Sequence, residues 1–282
     1  MASFPPAPDA IPAPPPAAAP VPARPAGHRR FATLRTVAAL VLREMSTRYG
    51  RTPGGYIWAV LEPLAAILFL AVGFSLVLHT PSLGTSFLLF YATGYLPFNL
   101  YQSVSLTVSR AISFSHPLLR FPAVTWADAV IARFLLNSLT GVLVTLLLLG
   151  GILAVIDSRT VLELPQMAAA LGLAMLLGLG VGTLNCVLMG LYPLWEVIWS
   201  IVTRPLFLAS GIFFLYDDMP PLAQEILWYN PLIHIAGIMR AGVYPTYTPA
   251  YVNVPFVVLS SLVLLALGMV LLGRFHRVIL NR

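Results

Sequence analysis

Lysine is absent from this 282-residue chain, cysteine occurs once, and charged residues make up only 9% of it. Each shortage excludes something. Without lysine there is no glycine-rich phosphate loop ending in Lys-Ser or Lys-Thr, so no nucleotide site of that type is encoded. A single cysteine, Cys186, cannot make an internal disulfide or a multi-cysteine metal or iron–sulfur site. The five histidines are scattered, and no pair has metal-ligand spacing. Ser210-Gly211 lacks the upstream glycine of a nucleophile elbow, which argues against an intramembrane serine protease. Soluble domains carry about 25% charged residues. At 9% this chain cannot coat a water-facing surface of its size, and a soluble globular enzyme is excluded.

What is present is apolar. Hydrophobic residues reach 59%, and the mean hydropathy is +0.87. The apolar residues gather in six long runs: Tyr56–Leu78, Phe87–Val108, Phe134–Ile156, Gln166–Leu191, Trp195–Tyr216 and Tyr251–Gly273. Each meets the roughly 20 residues needed to cross about 30 Å of hydrocarbon. None alternates with the period of a membrane β-strand. The expected fold is an all-α membrane protein with six transmembrane helices. All sixteen basic residues are arginine, and their placement sets the orientation. With both termini in the cytoplasm, fourteen arginines lie inside and two, Arg159 and Arg240, outside. The sequence pI of about 9.8 therefore reflects orientation in a bilayer rather than nucleic-acid binding.

Residues 1–30 form a Pro/Ala-rich tail that cannot bury a core and is expected to be disordered. Residues 31–282 form the membrane domain. Its first part, Phe31–Gly50, reads as an amphipathic helix at the membrane interface. Phe31, Leu34, Ala38, Val41 and Met45 make its apolar stripe, with Arg35, Arg43, Glu44, Thr47 and Arg48 mostly opposite. It suits an anchor on anionic lipid and a docking surface alike. The cytoplasmic connection Arg110–Arg133 is longer than a turn requires. It could present a short helix below the membrane or be a basic loop. Outside, Asp217–Ala250 holds two short apolar stretches broken at Asn230-Pro231, a helix-start pattern. Too short to span, they are expected to form a re-entrant pair between helices 5 and 6.

Two charges fall inside apolar runs. Glu62 precedes Pro63 in the first, and Arg204 precedes Pro205 in the fifth. Both lie roughly 10 Å inside the inner boundary by helical rise. Intramembrane charges are costly and usually face a partner or a wet cavity, so a Glu62–Arg204 interaction is expected, direct or across a dimer interface. Tyr91, Tyr95, Phe98 and Gln102 recur at four-, three- and four-residue steps, with Tyr101 close by. With Trp58 near the inner boundary, they are candidates for a path along which sugar rings slide, since aromatic rings offer flat apolar faces. An interfacial aromatic belt is the competing explanation. Ala174, Gly178 and Gly182 at four-residue spacing mark close helix packing.

Several of these stretches together resemble the polysaccharide-export branch of type-2 ABC exporter permeases, nearest to the capsular polysaccharide inner-membrane permease. The resemblance rests on Arg48-Tyr49-Gly50-Arg51, Gly55-Tyr56-Ile57-Trp58 and Leu61-Glu62-Pro63 near the first membrane helix. It rests equally on Arg204-Pro205-Leu206-Phe207, Ser210 to Phe214, Pro220, Asn230-Pro231-Leu232 and Arg240 in the fifth helix and outer segment. It implies a non-catalytic transmembrane subunit in the bacterial inner membrane. It also implies a homodimer, two cytosolic ATPase subunits that hold ATP and magnesium, and a lipid-linked capsular polysaccharide as cargo. This chain itself would hold no cofactor or metal. In Gram-negative bacteria a periplasmic adaptor and an outer-membrane channel continue the route. By the same resemblance, Arg43, Arg48, Arg51, His116, Pro117, Arg120 and Asp128 belong to the ATPase-coupling region. Asp218, Pro220, Pro221, Asn230, Pro231 and Arg240 belong to an outer gate. The alternatives are an O-antigen, teichoic-acid, lipid or drug exporter permease, and an ion-coupled secondary transporter. The last would need midplane ionisable groups and internal repeats that this sequence lacks.

Overall fold

The computed structural model describes residues 32–49, 55–119, 124–156 and 162–281. The proline-rich tail, Arg51, Arg120, Arg159 and Arg282 lie outside the described residues, as does the side chain of Arg48. The described residues form helices joined by turns and short irregular segments, with no strand among them. In chain order the helices are α1 (Ala32–Tyr49), α2 (Ile57–Ser75), α3 (Phe87–Ser109), α4 (Ala111–Leu119) and α5 (Trp126–Val155). Then follow α6 (Leu164–Leu191), α7 (Leu194–Leu208), α8 (Pro221–Leu227), α9 (Pro231–Val243) and α10 (Val254–Leu280). A 3-10 turn at Tyr216–Asp218 precedes α8.

Among the described residues four helices are long and apolar enough to cross a membrane: α2, α5, α6 and α10. Large apolar side chains stand exposed along three of them, including Phe69 of α2, Leu139 and Leu146 of α5, and Val263 and Val270 of α10. A soluble protein does not expose apolar surface on this scale. The remaining two runs depart from the sequence expectation for physical reasons. Helix α3 is long enough but carries Thr, Asn, Gln and Ser. Fifteen of its 23 residues are buried, against α2, α5, α6 and α9, so protein rather than lipid surrounds most of it. The fifth run is not one helix. It ends at Leu208, and residues 209–215 are non-helical, with Gly211 at φ +75°. Fifteen residues rise about 22 Å, short of the hydrocarbon thickness.

Helix ends follow the local sequence. Thr125 and Asp128 form a reciprocal capping box at the start of α5, with the Thr125 amide donating to Asp128 Oδ2 at 2.9 Å. Asn230 caps α9 and Asn253 caps α10, each accepting from a backbone amide in the first turn, with proline one position on at Pro231 and two positions on at Pro255. Asp218, although an Asx residue just ahead of Pro220 and Pro221, does not cap α8. It lies in the 3-10 turn, and Pro220 occupies the cap position without a side-chain bond. Helix α8 is accordingly only seven residues long.

Glycines draw α6 against two neighbours at once. A Cβ at Gly182 would come within 2.9 Å of the Ser105 carbonyl oxygen on α3, which accounts for the spacing read from sequence. Gly180 and Gly268 do the same between α6 and α10: a Cβ on Gly268 would lie 2.7 Å from the Leu184 amide nitrogen. Backbone cannot yield as a flexible side chain can. Gly268→Ala is therefore expected to wedge α6 from α10 and to cost about 1–3 kcal/mol, the usual scale of overpacking. Thermal unfolding of the detergent-solubilised protein measures it; an unchanged midpoint would show that the pair separates freely.

Candidate functional site

Three regions hold the polar side chains of an otherwise apolar molecule: an open trough along α3, a junction of α1, α4 and α5, and a cap built from the segment after α7.

The trough follows from the composition of α3. The helix presents Tyr95, Asn99, Gln102, Ser103 and Leu106 on one side while its other sides are buried. On one flank these residues meet Trp58, Glu62 and Pro63 of α2 and Asn137, Thr140 and Val144 of α5, around a cavity of about 480 Å³. The Asn99 amide donates to the Tyr95 hydroxyl at 3.5 Å. On the other flank Gln102 and Leu106 meet Trp199, Thr203, Arg204 and Phe207 of α7, around a second cavity of about 640 Å³. The two cavities meet at Gln102 and Leu106. Trp58, Tyr95 and Gln102 thus come together as expected, and Tyr101 lines the second cavity. Tyr91 and Phe98 do not join them. Tyr91 is 1% exposed among Phe74, Phe87 and Phe90, and Phe98 packs on Tyr101 and Phe207. At about 100° per residue the four residues share one arc of about 60°, but the trough side of α3, which runs through Tyr95, Asn99, Gln102, Ser103 and Leu106, begins at one edge of that arc and leaves Tyr91 and Phe98 on the buried edge. Glu62 and Arg204 both stand exposed, but on separate cavities, and no ion pair joins them within the chain. The ion pair at the trough joins Arg110 to Glu196 instead, at 2.6 Å between the ends of α3 and α7.

The junction centres on Arg133. Its guanidinium meets Glu44 of α1 at 3.3 Å, donates to the Thr107 carbonyl at 2.8 Å, and stacks 4.1 Å over the Phe114 ring of α4. Arg43 approaches the same ring at 5.5 Å. Val37, Leu40 and Ala132 form a small core beneath, so α1 docks on α5 by the face bearing Val37, Leu40 and Glu44. The apolar stripe read from sequence lies a quarter-turn away, with Leu34, Ala38 and Met45 exposed. His116 shares a hydrogen bond of 3.0 Å with the Leu280 carbonyl, tying α4 to the end of α10, and Pro117 is exposed. Asp128 is buried, and its carboxylate is engaged in the capping box at the start of α5. Glu44 and Phe114 went unmarked in the sequence. The only signal was an acid on a helix face otherwise populated by arginine.

The cap depends on Arg240, which is fully buried with no carboxylate partner among the described residues. Its Nη1 donates to the Phe214 carbonyl at 3.0 Å, its Nη2 donates to the Ile212 carbonyl at 3.2 Å, and the guanidinium lies 4.3 Å over Phe90. These are the carbonyls that the break after α7 leaves without helical partners. Asn230 adds a bond from Nδ2 to the Ala209 carbonyl at 2.9 Å. Asp218, Pro220 and Pro221 are exposed on the outer side of this cap, and Pro231 is half-buried at the start of α9. His234, not anticipated from sequence, is held between two backbone groups. Its Nδ1 accepts from the Asn253 amide at 3.2 Å, so Nε2 carries the proton and donates to the Trp228 carbonyl at 2.8 Å. Burial lowers its pKa below the ordinary imidazole value, which keeps that neutral tautomer. Burial likewise raises Tyr244, Tyr247 and Tyr251 above the ordinary phenol value, and the Tyr247 hydroxyl donates to Asp217 at 3.2 Å.

A family model described as ABC-2 type transporter matches residues 35–244. The polysialic acid transport protein KpsM of Escherichia coli is 31% identical over 236 residues, covering 84% of this chain and 92% of that protein. The capsule polysaccharide export inner-membrane protein BexB of Haemophilus influenzae is 28% identical, covering 86% and 92%. Its counterpart CtrC of Neisseria meningitidis is 26% identical over the same shares.

Proposed function

The chain belongs to the ABC-2 type transporter family, and from that premise we propose that it is the membrane-embedded subunit of an ATP-driven exporter of capsular polysaccharide. The relatives named above transport polysialic acid or export capsule polysaccharide, and this chain covers 92% of each. Its place is the bacterial inner membrane, with both termini on the cytoplasmic side. Helices α3 and α7 complete six membrane passes, and α8 and α9 form the re-entrant outer gate. Two copies pair so that their troughs face one another. Two cytosolic ATPase subunits bind and hydrolyse ATP with magnesium, and drive the pair from below through α1 and α4. A lipid-linked polysaccharide is the cargo, and a periplasmic adaptor and outer-membrane channel receive it.

One observation carries this reading: the polar face of α3 lies at the floor of a trough between α2 and α7, whose side chains stand exposed on both walls. Polar groups open at membrane depth must line a path or meet a partner. Amides, hydroxyls and the rings of Trp58 and Tyr95 suit successive sugars, which offer hydroxyl groups at the edge and apolar faces above and below. Coupling requires that nucleotide state favour one arrangement of the trough over another. The α1–α4–α5 junction links the cytoplasmic elements to the spanning ones, which is what a push from below needs.

The decisive test is deletion and complementation in the source bacterium. Deletion should leave polymer inside the cell, and the intact gene should restore it to the surface. Normal surface polysaccharide after deletion would sink the proposal. In the same assay Tyr95→Ala combined with Gln102→Leu should lower export about tenfold, the loss expected from one ring contact and one hydrogen bond. Co-purification with the ATPase subunit should stay unchanged.

A further inference from the structure

We propose that the cavity between α3 and α7 binds the phosphate-bearing end of a membrane amphiphile, with Arg204 as the cation that holds the phosphate. The proposal rests on the exporter reading above and names the part of the cargo that this cavity takes.

The cavity combines two unlike linings. Leu106, Met189, Phe207 and Leu208 make most of its wall apolar. Arg204 stands among them with neither an ion pair nor a hydrogen bond to any described residue. Of the other charged groups on the wall, Arg110 and Glu196 neutralise each other at 2.6 Å. The cavity therefore carries one net positive charge. Glu62, the acid expected to balance it, lines the neighbouring cavity. Ser105 also lines the wall, is 3% exposed, and its hydroxyl meets no hydrogen-bond partner.

An uncompensated cation at membrane depth is costly, and so is a buried hydroxyl without a partner. A soluble anion would satisfy Arg204 but leave the apolar wall wet. A neutral lipid would cover the wall but leave the charge. A phosphate on an acyl chain answers both, because guanidinium matches phosphate with two parallel bonds while the hydrocarbon covers Met189 and Leu208. The adjoining cavity, lined by Asn99, Ser103, Asn137 and Thr140 with Glu62, is polar and has an acid where an anion would be repelled. It suits the uncharged groups that follow the phosphate. Gln102, common to both cavities, marks the boundary between lipid end and sugar end.

The test uses the purified full chain in phosphatidylcholine nanodiscs, with lysophosphatidic acid, the matching monoacylglycerol and inorganic phosphate as probes, read by native mass spectrometry. Lysophosphatidic acid should saturate at one per subunit. Arg204→Gln should weaken it roughly 10- to 100-fold, as loss of a charge-assisted hydrogen bond does, and Arg204→Lys much less. Monoacylglycerol should bind weakly and be indifferent to Arg204→Gln. Equal binding of monoacylglycerol would overturn the proposal, as would unchanged affinity in Arg204→Gln. Inorganic phosphate binding as tightly as the lysolipid would overturn it in favour of a free-anion site. If Arg204→Gln does not purify folded, Met189→Trp decides: it fills the apolar end and should block the lysolipid, and unchanged affinity there also overturns the idea. Failure of this binding leaves the deletion result untouched, so the two readings can fail separately.

Discussion

Arg240→Met should loosen the outer cap and lower stability by about 2–4 kcal/mol, near the loss of two hydrogen bonds from a charged donor. Two effects oppose each other here. Removing a fully buried guanidinium with no carboxylate beside it relieves a desolvation cost of several kcal/mol. It also strands the Ile212 and Phe214 carbonyls in a stretch that has no helical partner of its own. The second effect should win, because Gly94 lets α3 approach closely: a Cβ there would lie 3.0 Å from the Ile212 Cα, so water has little room to replace the donor. Arg240→Lys separates charge from geometry. It keeps the cation but lacks the fork that reaches both carbonyls, so it should recover less than half of the loss. Thermal unfolding in detergent gives the magnitude, and hydrogen exchange at residues 209–216 gives the location. A neutral or stabilising Arg240→Met would mean that the buried charge outweighs its bonds.

The second large effect is expected at the junction of α1, α4 and α5. Arg133→Ala removes the guanidinium that stands 3.3 Å from the buried Glu44 carboxylate, and removing one partner of a buried pair costs about 3–5 kcal/mol. It also removes the donor to the Thr107 carbonyl and the cation over Phe114. Helix α1 should then loosen from α5, since the apolar contact that remains is a small one, Val37, Leu40 and Ala132 with Val41, Leu118 and Val124 beside them. Hydrogen exchange across α1 should rise sharply while exchange in α6 and α10 stays slow. Arg133→Met with Glu44→Leu should be milder than Arg133→Ala alone, because it removes the buried carboxylate as well. If the double variant is as damaged as the single, the ion pair is not what fastens α1.

The sequence made the six apolar runs plain because length and hydropathy suffice for that. The uneven placement of the arginines is what suggests an orientation, and the cap at Asn230 follows from side-chain chemistry local to a few residues. Three things did not show. The break after Leu208 depends on Gly211 taking a positive φ and on Arg240, 29 residues later, reaching back to the exposed carbonyls. The buried Glu44–Arg133 pair is 89 residues apart and looked like two ordinary surface charges. The placement of Tyr91 and Phe98 away from the trough depends on which neighbours surround α3, and spacing along one helix does not contain that. Local chemistry was legible, and contacts between distant segments were not.

The shortness of α7 has a consequence for the lipid beside it. Bilayer touching a helix of about 22 Å must pinch inward or leave polar ends immersed, at a fraction of a kcal/mol for each ångström of mismatch. Under the six-pass reading proposed above, lipid reaching that flank would be thinned there, and a headgroup moving along it would cross less hydrocarbon than beside the 30 residues of α5.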